Sequence, residues 1–321
     1  VIVKLENQGV VGLGEAAEFD IPGHEEKRDR ILQDLEAAKT IVAELDPMQR
    51  AVVEQALKQA NIGCSVRNAI DMALYDWAGK RLGVPVWKLL GLSPTPKAPI
   101  SVTVGISSPE AAIDRLRAWQ AVGKIRGVKV KLGSPNGVDA DKSMLDAIRE
   151  HVSDDAYIGV DANGGWSLEQ AVMMSAWLHE RGVVHMEQPL APEDHENFSE
   201  LYHRSSLPIF LDESCCNAQD VQRFRSCCHG INIKLTKCGG LTEALRMIAV
   251  AQTLGLSTMV GCYGNTCLGN AAAHHLAAMI DFIDLDSHLN LLDDPTSGME
   301  FYDGYLVNSQ KPGLGIDYDE R

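Results

Sequence analysis

Three acids, Asp161, Glu187 and Asp212, recur at intervals of about 25 residues, the scale of one strand-plus-helix unit. Each ends a short run rich in β-branched and apolar residues, so all three could converge at one rim of a sheet. Three carboxylates with no His or Cys among them suit a hard cation that takes oxygen ligands. Mg²⁺ fits best because it keeps positions open for water and substrate; Mn²⁺ is acceptable and Zn²⁺ is disfavoured. Without a cation, three acids packed together would raise one another's pKa values and protonate. Lys131 and Lys234 end the neighbouring runs on either side. Two amines so placed would reach a metal-bound substrate from opposite sides, one removing a proton from carbon and the other supplying one to the opposite face. The cation would hold a substrate carboxylate and stabilise the enolate charge. Lys129 shares a strand face with Lys131 at about 6–7 Å. At an effective dielectric near 20 their repulsion is about 2–3 kcal/mol, which helps Lys131 act as a base. Lys234 has no such neighbour, and burial would have to do the same for it.

The elements that must carry these residues are short β-branched runs, eight of them beyond residue 99: 100–106, 127–132, 157–162, 183–188, 208–212, 231–235, 257–261 and 282–286. Helix-compatible segments separate them, among them 110–121, 141–151, 168–181 and 241–254. Such alternation implies parallel pairing through crossovers, and the even spacing of eight units fits a closed barrel better than an open sheet. Side chains alternate along a strand. In six strands one parity is apolar (Val128 and Val130, Ile158 and Val160, Ile231 and Ile233) while the other carries Lys129, Lys131, Asp161, Asn163, His185, Glu187, Asp212, Asn232, Lys234, Asp284 and Asp286. The charged set must then point into the barrel, near the strand ends where barrel enzymes build active sites. A wetted rim explains this pattern poorly, since each buried charge costs several kcal/mol unless paired or metal-bound.

Asp284 and Asp286 on the eighth strand stand across the barrel from Glu187. Two acids there would bind a cation such as an ammonium. A substrate with its carboxylate on the metal and its ammonium on the eighth strand must span most of the barrel mouth. A single amino acid is too short for that, and a dipeptide fits.

The first ninety or so residues read differently: a strand pair through Asn7-Gln8-Gly9, then helices near 25–45, 47–60 and 65–82. The last places Val66, Ile70, Ala73, Leu74 and Trp77 on one face, leaving Asp71 and Asp76 to a solvated or capped face. Three prolines within 91–99 mark a boundary. The expected division is 1–96 for the first unit, 97–294 for the barrel and 295–321 for a return to the first unit. The chain opens on Val1-Ile2-Val3-Lys4-Leu5, as if in mid-strand.

Composition narrows the partners. Forty-four acids against 29 Lys+Arg leave a net charge of −15, which repels nucleic acid, and no apolar run suits a membrane helix. Eight cysteines without a C-x-x-C read as free thiols in a reducing compartment. A cytoplasmic homo-oligomer acting on a small molecule is expected.

Taken together, Lys129-Val130-Lys131, Asp161-Ala162-Asn163-Gly164-Gly165-Trp166, Glu187-Gln188-Pro189, Asp212-Glu213-Ser214 and Asn232-Ile233-Lys234-Leu235-x-Lys237-x-Gly239-Gly240 resemble the enolase superfamily, muconate-lactonizing subgroup. Gly12-x-Gly14-Glu15-Ala16 and Ala73-Leu74-Tyr75-Asp76-x-x-Gly79-Lys80 are similar to that family's cap. The resemblance implies an α/β fold, a (β/α)7β barrel with an α+β capping domain. It also implies Mg²⁺ on Asp161, Glu187 and Asp212, with Lys131 and Lys234 as the acid/base pair; Lys129 is expected to help bind the substrate, and Asn163 and Glu213 to support the site from behind. Asp284-Leu285-Asp286 resembles the Asp-x-Asp element with which dipeptide epimerases bind the substrate ammonium.

Two departures stand out. Asn265 replaces the Glu that relatives often carry at the end of strand seven. The chain also begins after the family's first cap strand and mobile specificity loop, which leaves 19–24 as the other such loop; with Tyr263 and Asn265 it is expected to shape the pocket. A cycloisomerase or an o-succinylbenzoate synthase-like lyase of the same subgroup is the alternative reading, since neither needs an ammonium site. A metal-binding scaffold without activity is a third, disfavoured by the paired lysines.

Overall fold

Residues 1–22 and 24–320 are described by the computed structural model. Strands β1 (Ile2–Asn7) and β2 (Val10–Glu15) form the antiparallel hairpin. Its turn is made by Gln8 and Gly9, at φ 52° and 75°, the left-handed pair a two-residue hairpin favours. Helices α1 (Arg28–Ala43), α2 (Arg50–Gln59) and α3 (Cys64–Leu82) follow. The hairpin lies directly on α3: a Cβ on Gly14 would fall 1.8 Å from the Ala69 carbonyl oxygen.

Helix α3 is covered on both sides. Val66, Ala69, Ile70 and Leu74 join the cap core with Ile31, Val53 and Leu57, while Met72 and Tyr75 join the barrel core. Asp71 and Asp76, expected on a solvated or capped face, are therefore buried: Asp71 caps the helix that begins at Leu241, and Asp76 ties the hairpin to the tail. Asp76 accepts from the Leu13 and Leu314 amides and pairs with Lys80. Asp71 accepts from the Thr242 amide and hydroxyl at 2.9 and 2.6 Å.

Burial pushes the Asp71 carboxyl from 3.8 up to about 6 despite those hydrogen bonds. A folded-state value above the unfolded one contributes stability that is complete below pH 3.8 and lost as pH rises through about 6. Charged Asp71 thus costs stability at neutral pH, on the order of 3 kcal/mol. Asp71→Asn is expected to resist urea better than the parent at pH 7 and to lose that advantage as pH falls to 4. A difference that does not change with pH would count against this account.

After α4 (Val86–Leu89) comes the barrel: β3 (Val102–Val104), α5 (Pro109–Val122), β4 (Gly127–Lys131), α6 (Val138–Arg149), β5 (Tyr157–Asp161), α7 (Leu168–His179), β6 (Val183–Glu187), α8 (Phe198–Arg204), β7 (Ile209–Leu211), α9 (Ala218–Phe224), β8 (Gly230–Lys234), α10 (Leu235–Cys238), α11 (Leu241–Thr253), β9 (Ser257–Gly261), α12 (Cys267–His274) and β10 (Phe282–Asp284). The eight strands pair in parallel in chain order. The Ile100–Ile283 bridge, with the Ser101 amide donating to the Ile283 carbonyl at 2.8 Å, closes the ring. The tail returns to the cap, where Gly313 exchanges backbone hydrogen bonds with Val84 and Val86.

Strand parity holds. Val128, Val130, Ile158, Val160, Ile231 and Ile233 belong to the apolar core. On the opposite parity the lower barrel is filled by aromatic rings. His185 lies 4.9 Å from Phe210 and 4.7 Å from Phe282, and Tyr157 meets Phe282 at 5.8 Å. Gly159 makes room for this layer, since a Cβ there would sit 2.4 Å from His185 Nε2. Burial pushes the His185 imidazole down to about 3, so the floor is uncharged. Among the described residues no helix is long and apolar enough to cross a membrane.

Candidate active site

Above that floor the strand ends lift their polar residues into one cluster. Asp161 ends β5, Glu187 ends β6 and Asp212 follows β7. One carboxylate oxygen from each lies within 4.8 Å of the others, and all three residues are fully buried. Asn163 and Gln188, just beyond two of these acids, take left-handed backbones at φ 44° and 35°, uncommon for residues other than glycine. Gln188 uses the bend to brace the third acid: its Oε1 accepts from the Asp212 and Ser214 amides at 2.9 and 3.2 Å.

Lysines occupy both flanks. Lys131 Nζ donates to Asp161 Oδ2 at 2.5 Å and to Asn163 Oδ1 at 3.1 Å. Lys234 Nζ stands 2.7 Å from Asp212 Oδ2 and 4.3 Å from the centre of the Tyr263 ring. Glu213 joins through Asn163, whose Nδ2 donates to its Oε1 at 3.1 Å.

Lys129 does something other than expected. Its ammonium contacts Glu187 at 2.8 Å, Asp284 at 2.8 Å and Asp161 at 3.2 Å. Those charges offset the repulsion that was to act on Lys131. The same ammonium joins Asp284 to Glu187, so Asp284 is not a barrel's width from the acid triad. A four-carbon side chain reaching across the interior closes that gap. Asp286 lies beyond the end of β10, with its Oδ2 accepting from the Thr103 amide at 2.7 Å. Burial and the Asp284 charge push its carboxyl up to about 6.

Two contributors escaped the parity argument as site residues. Lys237, fully buried one helical turn beyond Lys234, donates to Asp212 Oδ1 at 2.8 Å, to the Asn232 carbonyl at 3.1 Å and to the Asp212 carbonyl. The i, i+3 spacing of the two lysines carried that signal. Asn232, read only as an inward position, donates to Glu187 Oε1 at 2.9 Å. Asn265, expected to shape the pocket, instead faces the cap and donates to Glu15 Oε1 at 3.2 Å. Glu15 also accepts from Thr266 and the Gly269 amide, tying β2 to the start of α12. In the segment 19–24, Phe19 stacks on Tyr263 at 5.6 Å, whereas Gly23 lies outside the described residues.

The electrostatics favour a cation. Burial and the Asp161 charge push Glu187 up to about 8, a penalty on its charged form that a bound cation relieves. Burial opposes the ionisation of Asp161 and Asp212 too, but Lys129 and Lys131 hold the first below the usual carboxylate range. Lys234 and Lys237 do the same for the second. For Lys234 burial alone would lower its value, yet Asp212 holds it well above the ordinary one, opposite to the direction expected from burial. Glu187 Oε2 and Asp212 Oδ2 accept no hydrogen bond despite the nearby ammoniums. Three buried carboxylates that bring one oxygen each within 4.8 Å of the others, with no His or Cys among them, are the donor set a hard dication takes.

Known proteins share this architecture. Residues 1–91 match the N-terminal domain of the mandelate racemase / muconate lactonizing enzymes, and 111–321 match the enolase C-terminal domain-like family. The chain is 45% identical to the hydrophobic dipeptide epimerase of Roseobacter litoralis, over 77% of its own length and 72% of the relative's. It is 38% identical to that of Flavobacteria bacterium, covering 98% and 89%. Among solved structures, the dipeptide epimerase of Cytophaga hutchinsonii, complexed with Mg and D-Ala-L-Val, superposes with a TM-score of 0.93 at 26% identity, covering 99% of this chain and 88% of that one. The Enterococcus faecalis enzyme with Mg and L-Leu-L-Tyr gives 0.91 at 30% identity, covering 99% and 91%.

Proposed function

Since the chain belongs to the mandelate racemase / muconate lactonizing enzyme family, we propose that it is a dipeptide epimerase that inverts the Cα beside the free carboxylate by 1,1-proton transfer. The observation that carries this is the placement of two lysines, Lys131 on Asp161 and Lys234 on Asp212, at the outer members of one acid triad. Mg²⁺, held by Asp161, Glu187 and Asp212 and replaceable by Mn²⁺, supplies the positive charge that makes a C–H bond beside a carboxylate acidic.

Lys131, as the neutral amine, takes the Cα proton of one epimer. The electron pair of that bond passes into the carboxylate as an enolate and returns to carbon when the Lys234 ammonium delivers its proton to the opposite face. The reverse direction exchanges the two roles. Lys129 and Asn232 keep Glu187 in place, and Lys237 does so for Asp212. Asp286, with Asp284 behind it, receives the dipeptide's ammonium. Apolar side chains suit the stacked rings of Phe19 and Tyr263 beside Lys234, in keeping with the hydrophobic dipeptides for which both curated relatives are named. We further take the enzyme to be a cytoplasmic homo-oligomer, a setting that keeps its eight cysteines as thiols.

Incubation with Mg²⁺ and hydrophobic dipeptides in D₂O should place one deuterium on the C-terminal Cα and carry either diastereomer toward the equilibrium mixture. N-acetylation of the dipeptide, which removes the ammonium, should lower kcat/KM by roughly 10- to 100-fold, the scale of a charged hydrogen bond. Mass spectrometry and chiral chromatography read both arms. No exchange with any dipeptide would sink the proposal, and equal rates with the acetylated compounds would remove the acids' role.

A further inference from the structure

We infer that Tyr263 is a positioning residue for Lys234, its ring face holding the amine over the side of the substrate on which that lysine acts. This rests on Lys234 being one of the two bases. Gly261 pairs with Lys234 across β9 and β8, and Tyr263 follows two residues later, so the ring arrives beside the amine from the adjacent strand. The Lys234 nitrogen is 4.3 Å from the ring centre, within the range of a cation–π contact.

The ring is fixed from elsewhere. Its amide donates to Asn265 Oδ1 at 3.0 Å, and Phe19 stacks against it with 24° between the planes. Phe19 is itself buried and bridged to Glu26, whose carboxylate caps the first turn of α3 through the Cys64 and Ser65 amides. The Tyr263 hydroxyl is buried without a hydrogen-bond partner. The face of the ring, not the phenol, therefore meets the lysine. Asp212 is the other partner of Lys234, and a carboxylate that shares its charge with a dication attracts an ammonium less. An uncharged ring is not drawn away in that manner. Lys131 is held differently, by Asp161 and Asn163.

The two bases can thus be disturbed separately. Lys234→Ala identifies which epimer depends on Lys234 for deuterium wash-in. Tyr263→Leu should slow wash-in to that same epimer by roughly 2- to 30-fold more than wash-in to the other, the range of one cation–π contact. Tyr263→Phe should keep the parent's ratio between the two rates. Equal slowing of both epimers by Tyr263→Leu, or the same change of ratio in Tyr263→Phe, would overturn the inference.

A second measurement needs no substrate. In protein labelled with ¹³Cε-lysine, the Lys234 methylene, identified by its absence from Lys234→Ala, should resonate upfield of the exposed lysines through the ring current. It should keep that shift in Tyr263→Phe and lose it in Tyr263→Leu. An unshifted resonance in the parent overturns the inference even if exchange is normal. An upfield resonance without exchange on any dipeptide would instead leave the ring contact standing and remove the epimerase function.

Discussion

Lys131→Ala and Lys234→Ala should each lower epimerisation by roughly 10²- to 10⁴-fold, the usual worth of a positioned acid or base, yet fail in opposite senses under isotope exchange. Each variant keeps one amine. Lys131→Ala should retain wash-in of deuterium to the epimer whose Cα proton faces Lys234, without inversion, and Lys234→Ala should retain it in the other epimer. Mass and chiral analysis of recovered dipeptide distinguishes the two patterns. The flanks also differ in access, because the Lys131 side chain is 25% exposed and that of Lys234 only 6%. A small amine such as methylamine should therefore restore more activity to Lys131→Ala than to Lys234→Ala. If both variants silence the same epimer, the two nitrogens work from one face and inversion needs another explanation.

Lys237→Met should destabilise the metal-free protein by about 3–5 kcal/mol, the cost of removing one partner from a buried ion pair. Methionine is close to lysine in length, so the loss reports charge and hydrogen bonding more than volume. Among the described residues Asp212 would keep Lys234 as its one ion-pair partner, and the Asp212 and Asn232 carbonyls would each lose a buried donor. Saturating Mg²⁺ should shrink the deficit, because a ligand that binds the folded state adds stability by mass action and supplies the charge that Asp212 lost. Urea unfolding with EDTA and with Mg²⁺ tests both halves. A metal-free loss below about 1 kcal/mol, the scale of an exposed pair, would mean that Lys237 is not the counter-charge of Asp212.

Much of this site could be read from the chain because a strand repeats every two residues. Asp161, Glu187 and Asp212 each share a parity with residues that point inward, and the structure brings them together. The same rule placed Lys131 and Lys234 at the flanks. It said less about residues beyond the strand ends. Lys237 belongs to the turn of helix that follows β8, where alternation no longer applies. Asp284 does lie on the strand opposite that of Glu187, but strand order alone does not show that Lys129 holds both carboxylates on one ammonium. Asp71 and Asp76 were misread for a different reason. Helix α3 shows one apolar stripe, but the hairpin and the barrel pack against it from both sides, and only tertiary contacts reveal that.

The ring layer of Tyr157, His185, Phe210 and Phe282 makes the barrel a dead end. Anything bound above that layer leaves on the side from which it came, so a spent dipeptide has to back out before a fresh one can follow.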